Sequence, residues 1–105
     1  MMRVFSYLIA VICSLTVALA SEPKHNYIPP SGYVPDDATA IKIAVAVWEP
    51  IYGSKHIAQK KPFHATLTKG IWTVFGSLPK DAVGGVPEAE IAQRDGRILR
   101  ISHGK

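Results

Sequence analysis

The stretch ATAIKIAVAVW, residues 38–48, limits what this chain can become more than any other. Asp36-Asp37 just before it offers a cap and places negative charge at the positive end of a helix dipole, so a helix is predicted from Ala38 to about Trp48. Ile41, Ala44, Val45, Trp48 and Tyr52 fall on one face at helical spacing, while Ala40, Ile43 and Val47 carry apolar surface round the flanks. Only a narrow stripe through Thr39, Lys42, Ala46 and Glu49 is left for water. A helix apolar on most sides has to be surrounded, so the rest of the chain must provide a surface that holds it. Pro50 lacks a backbone donor and crowds the preceding turn, which bends or ends the helix near there, and Gly53 makes a stop.

Beyond a basic connector from Lys55 to Lys61, the pattern changes from helical spacing to alternation. Phe63, Ala65 and Leu67, then Trp72 and Val74, recur with period two around Lys69-Gly70. A two-residue turn there sets Leu67 opposite Trp72 and Ala65 opposite Val74 on one apolar face, with His64, Thr66, Ile71, Thr73 and Phe75 on the other. The ending VPEAEIAQRDGRILRISHGK gives a second hairpin. A two-residue turn at Asp95-Gly96 opposes Arg94 to Arg97 and mixes the faces. A three-residue turn through Arg94-Asp95-Gly96, with Gly96 left-handed, separates Ala89, Ile91, Leu99 and Ile101 from Glu88, Glu90, Ile98 and Arg100, and sets Glu90 opposite Arg100. Leu78 to Gly85 is a longer loop, and Pro87 belongs at a strand's start or edge. The sum is an α+β fold: one main helix held against a curved four-stranded antiparallel sheet.

The N-terminus reads as a separate device. Met1-Met2-Arg3, an apolar run from Val4 to Val17 and the small-x-small site Ala18-Leu19-Ala20 form a signal-peptide layout, with cleavage between Ala20 and Ser21. The run sits at the short edge of what spans a bilayer and has no positive flank on its far side, so contact with the membrane is expected only in transit. Cleavage removes Cys13, and the mature chain then holds no cysteine for a disulfide framework or a thiolate metal site. Loss of Arg3 lowers the formal net charge from +4 to +3, too small and dispersed for a nucleic-acid partner. The chain therefore divides into a signal peptide (1–20), a strap (21–35) rich in proline, and an α+β domain (36–105), with a periplasmic or secreted location expected.

Taken in order and spacing, GYVPDDATAIKIAVAVWEPIYG, KPFHATLTKGIWTVFGSLP and GGVPEAEIAQRDGRILRISHGK resemble the small bacterial NTF2 fold immunity protein family. The likeness runs from Gly32 to Lys105 and rests on PIYG, KPF, the tryptophan strand, LP, GGV and the terminal HGK taken together. It implies an NTF2-like or cystatin-like sheet around a helix and a protein partner, a toxin to be neutralised. It brings no catalytic residues and no cofactor.

Little in the residues themselves is reactive. His25, His56, His64 and His103 are scattered, with no two at the close spacings typical of metal ligands, so no metal site is expected. Ser54, Ser77 and Ser102 lack a nucleophile elbow. Asp36-Asp37 reads as a helix start, and Glu88 and Glu90 as cross-strand partners, Arg100 keeping Glu90 ionised. No catalytic role is assigned. The residues singled out for partner binding are Ile71, Thr73, Phe75, Ile98 and Arg100, an apolar patch with a charged rim. The strap, through Tyr27 or Tyr33, offers a competing cover for the same patch. Two other functional classes stay open at this level: a cystatin-like or PepSY-like inhibitor of an exported peptidase, and an NTF2-like ligand carrier or enzyme with a pocket near His64 or Tyr52.

Overall fold

The computed structural model describes residues 25–105; the expected signal peptide, the expected cleavage between Ala20 and Ser21 and the first residues of the strap lie outside them. Helix α1 runs Asp37–Tyr52 and is followed by a short helix α2, Ser54–Ala58. Four strands come next: β1 His64–Thr68, β2 Ile71–Phe75, β3 Pro87–Ala92 and β4 Ile98–His103. They form one antiparallel sheet in the order β1-β2-β3-β4, each strand beside its sequence neighbours. Helix α1 lies over β1, β2 and β3. Among the described residues no helix is long and apolar enough to cross a membrane.

The helix begins where its cap chemistry says. Asp36 is extended, and its carboxylate accepts from the Thr39 N–H at 2.8 Å. Hydrogen bonding from Thr39, side chain first and backbone second, holds the Asp36 carboxyl below its ordinary value, against a small opposing effect of burial. The helix passes through Pro50 and stops at Gly53, one turn beyond the expected end at Trp48. A proline so close to the end forfeits a single helical bond, and the Gly53 N–H closes the last turn on the Glu49 carbonyl at 2.8 Å. The line facing the core is Ala40, Ala44 and Trp48, all fully buried, with Ile41, Ile43 and Val45 half-buried beside it. Two alanines on this line bring the helix close to the sheet. The wrapping is one-sided: Ile51 stays exposed and Val47 half-exposed.

Packed against that line are Trp72, Val74, Ala89 and Ile91 from β2 and β3, Ile57 from α2, and Val34 from the strap. The stretch read as a connector thus contains a helical turn, because Ile57 needs one to reach the core. Trp48 meets Phe63 at 5.8 Å between ring centroids. Its Nε1 donates to the Glu88 carbonyl at 3.4 Å, and Trp72 Nε1 donates to the Val34 carbonyl at 2.8 Å.

The β1–β2 register is the expected one, Leu67 opposite Trp72 and Ala65 opposite Val74, with Lys69 and Gly70 both at positive φ in a two-residue turn. In the second hairpin Glu90 opposes Arg100 and Ala89 opposes Ile101, again as expected, but Ile91 then pairs with Ile98 across a bulge. The turn is one residue longer than anticipated: the Ala92 N–H bonds the Arg97 carbonyl at 2.9 Å, leaving Gln93 to Gly96 as a loop. The strap explains the extra residue. Tyr33 and Val34 donate their N–H groups to the carbonyls of Arg94 and Gln93, so those carbonyls face the strap instead of β4.

Gly32 sits at the tightest point of this junction, at φ 77°, where a Cβ would overlap the Gln93 carbonyl. Gly32→Ala is expected to cost about 2 kcal/mol, from left-handed strain and displacement of the strap, read as a lower urea midpoint and a shifted Trp72 emission. The depressed Asp36 carboxyl gives a second expectation. Its contribution is full above the ordinary value of 3.8 and is lost as the pH falls through the lower native value. Asp36→Asn retains a capping acceptor without the titration, so the gap between its urea midpoints at pH 7 and pH 3 should be narrower than for the unaltered protein.

Candidate functional site

With both helices and Val34 on one face, the other face of the sheet is built from rows that the strand registers define. One row runs His64, Phe75, Glu88, Ser102; the next runs Thr66, Thr73, Glu90, Arg100; a third starts with Thr68, Ile71 and Ala92. His64 lies on Phe75 with ring centroids 5.4 Å apart. Arg100 reaches along and across its strand: it pairs with Glu88, donates Nε to Glu90 at 3.4 Å and donates Nη1 to the Ser102 hydroxyl at 2.9 Å. The anticipated pair Glu90 and Arg100 is thus one half of a shared arrangement in which a single guanidinium serves two carboxylates. Glu88, and to a lesser degree Glu90, raises the already high Arg100 pKa. These groups are half in water, so the network orients side chains more than it stabilises the fold.

Ile71, Thr73, Phe75 and Arg100 are brought together on this face, Ile71 at 36% exposure and Phe75 half-buried under His64. Ile98 departs from the expectation. The bulge pairs it with the core residue Ile91, because the four-residue loop shifts the register by one at that point. Both Ile98 and Leu99 remain more than a third exposed at the β4 edge. The strap residues run past the hairpin tips. Tyr33 gives its hydroxyl to Asn26 at 2.7 Å, and Tyr27 is 70% exposed. A cavity of 170 Å³ between Ile28 to Gly32 and the tips at Gly70, Gln93 and Arg94 is small beside the roughly 300–1,000 Å³ of drug-sized ligand sites. Neither His64 nor Tyr52 lines it.

A second cluster was not singled out from the sequence. At the far end of the sheet, His56 of α2 and His103 of β4 meet with their Nε2 atoms 3.0 Å apart. Tyr52 from the end of α1 sets its ring on His103 at 5.0 Å, edge to face. The surrounding backbone is tight: Lys60 Nζ donates to the Gly85 carbonyl at 3.2 Å, and Gly85 packs against Gly104 with no room for a side chain. Strand parity placed His103 on the inner row opposite Pro87, but nothing local to His56 pointed toward it. Among the described residues no three His, Cys, Asp or Glu side chains come together in a way that could hold a metal ion.

A helix on one side of a four-stranded meander, with an amphipathic face left open on the other, defines a small α+β domain of the NTF2-like kind. The model of the NTF2 fold immunity protein family matches residues 39–105, and the chain belongs to that family. It is also similar to the uncharacterized protein YhhH of Escherichia coli (strain K12), 36% identical over 73 residues, 69% of this chain. The chain spans 58% of that relative's length. No solved structure matches it.

The open face gives a testable separation of surface from core. Phe75→Glu and Arg100→Ala should each leave a cooperative fold, Arg100→Ala with a urea midpoint close to that of the unaltered protein, because the charges it pairs are solvated. Val74→Glu, one residue from Phe75 but wholly buried, should abolish folding, as seen in far-UV circular dichroism and urea titration.

Proposed function

We propose that this protein is an exported immunity protein that neutralises a toxin by lying over the toxin's working surface with the open face of its sheet. The observation that carries the reading is the asymmetry of the sheet. One face takes both helices, while the other presents Ile71, Thr73 and Phe75 beside the Glu88, Glu90 and Arg100 network. An apolar centre with a charged rim is what a specific protein interface uses, and blocking by occlusion requires shape but no reactive group. Membership of an immunity protein family supports a protein partner. The signal-peptide layout of residues 1–20 supports export, which suits a toxin acting in or passing through the envelope.

Size sets a condition on this binding. Four strands spaced about 4.8 Å, each five or six residues long, project an area of roughly 350 Å², against about 800 Å² of accessible surface per partner in a standard interface. The flat face is therefore the centre of a contact that has to extend over a rim. The β4 edge, where Ile98 and Leu99 are exposed, is one such apolar rim.

The decisive experiment expresses the tagged protein from its own leader in the native host, crosslinks the envelope fraction and identifies what is captured. One recurrent toxin, lost with Phe75→Glu and inhibited by the purified protein, is the expected result. Recovery of abundant envelope proteins alone, in equal amount with Phe75→Glu, would overturn the occlusion reading. N-terminal sequencing of the recovered protein should begin at Ser21, and a chain that keeps Met1 in the cytoplasmic fraction would overturn export.

A further inference from the structure

We infer that His56 and His103 form a half-site for a divalent transition-metal ion, bound through their Nε2 atoms. The backbone fixes one tautomer of His103. His103 Nδ1 lies 2.7 Å from the Gly104 carbonyl oxygen, and a carbonyl can only accept, so Nδ1 carries the proton. His103 Nε2 is then the acceptor in its 3.0 Å contact with His56, whose Nε2–H donates to it, and an ion takes that proton's place once His56 carries its proton on Nδ1 instead. Histidines that bind metals are held in this way, one ring N–H spent on a carbonyl or carboxylate so that the other nitrogen is fixed and made more basic.

The second ring supplies the spacing. Its Nε2 is 3.0 Å from that of His103. Two nitrogens each about 2.0–2.1 Å from one ion, and this far apart, subtend an angle of roughly 95° at it, close to neighbouring positions of square-planar or octahedral coordination. The rings are inclined by 35° with centroids 5.1 Å apart, and His56 is exposed, so rotation about its own side-chain bonds turns a head-to-head contact into a convergent one. Tyr52 braces His103 from the side. Imidazole pairs suit Ni²⁺, Cu²⁺ and Zn²⁺ and discriminate against Mg²⁺, which prefers oxygen. With two protein ligands, the remaining positions belong to water, and the ion clamps α2 to the C-terminal strand.

The test is a thermal melt of the purified protein in Ni²⁺, Zn²⁺ or Mg²⁺ alone, paired with a Zn²⁺ titration followed by NMR of the imidazole resonances. At about ten times the dissociation constant, Ni²⁺ or Zn²⁺ should raise the Tm by roughly 6–11 °C and Mg²⁺ should leave it unchanged. The resonances of His56 and His103 should move together, while those of His25 and His64 stay in place. His56→Ala, at an exposed position, should keep the fold and lose both responses, and His103→Gln provides the same test without opening a gap beside Tyr52. The proposal is overturned if a metal response survives in His56→Ala, or if millimolar Zn²⁺ moves neither resonance and neither ion changes the Tm.

Discussion

Two indole rings lie in the core of this protein, and each needs a carbonyl for its N–H. A buried N–H without a partner costs the whole desolvation of that group, on the order of 1–3 kcal/mol, so tryptophan cores are organised around acceptors as much as around volume. Trp48 takes the Glu88 carbonyl and Trp72 takes that of Val34. The first bond ties the helix to β3. The second ties the strap to β2, and with it a residue, Val34, that is fully buried although it precedes the helix by only a few positions. Helix, sheet and strap thus meet through the same two side chains.

How much of this could be read from the residues depended on whether the deciding interaction was local. The cap at Asp36 and the turn at Lys69-Gly70 were legible because each depends on a few consecutive residues. The pairing of Glu90 with Arg100 was legible because strand parity and charge agreed on it. The bulge was not. It arises because the Gln93 and Arg94 carbonyls bond the strap some sixty residues earlier in sequence, and no hairpin rule contains that information. The same holds for Pro50, whose cost is small only because Gly53 ends the helix at once, and for His56, which reaches His103 only through a helical turn that Ile57 requires. Of the residues expected on the outer face of the sheet, Ile71, Thr73, Phe75 and Arg100 followed from alternation alone, while Ile98 moved with the bulge.

The two faces of the sheet divide a packed side from an open one between alternate residues of the same strands. On β2, Trp72 and Val74 belong to the core, and Ile71, Thr73 and Phe75 belong to the open face. On β3, Ala89 and Ile91 face the helix while Glu88 and Glu90 face outward toward Arg100. An open face of this kind can change its side chains without disturbing the packing beneath it. The Arg100 network contributes little stability, but it fixes where the face is charged and therefore what it repels.

The strand order has a consequence for how the molecule assembles. Every strand pairs with the one just before it, through two short turns and one longer loop between β2 and β3, so no strand has to find a partner far along the chain and the loop-closure cost stays modest. The strap is the exception, since its partners at Gln93 and Arg94 must already have been made into a hairpin before Tyr33 and Val34 have anything to bond. Its docking therefore waits on that hairpin. A chain that emerges N-terminus first carries its closing latch in front of the door that it fastens.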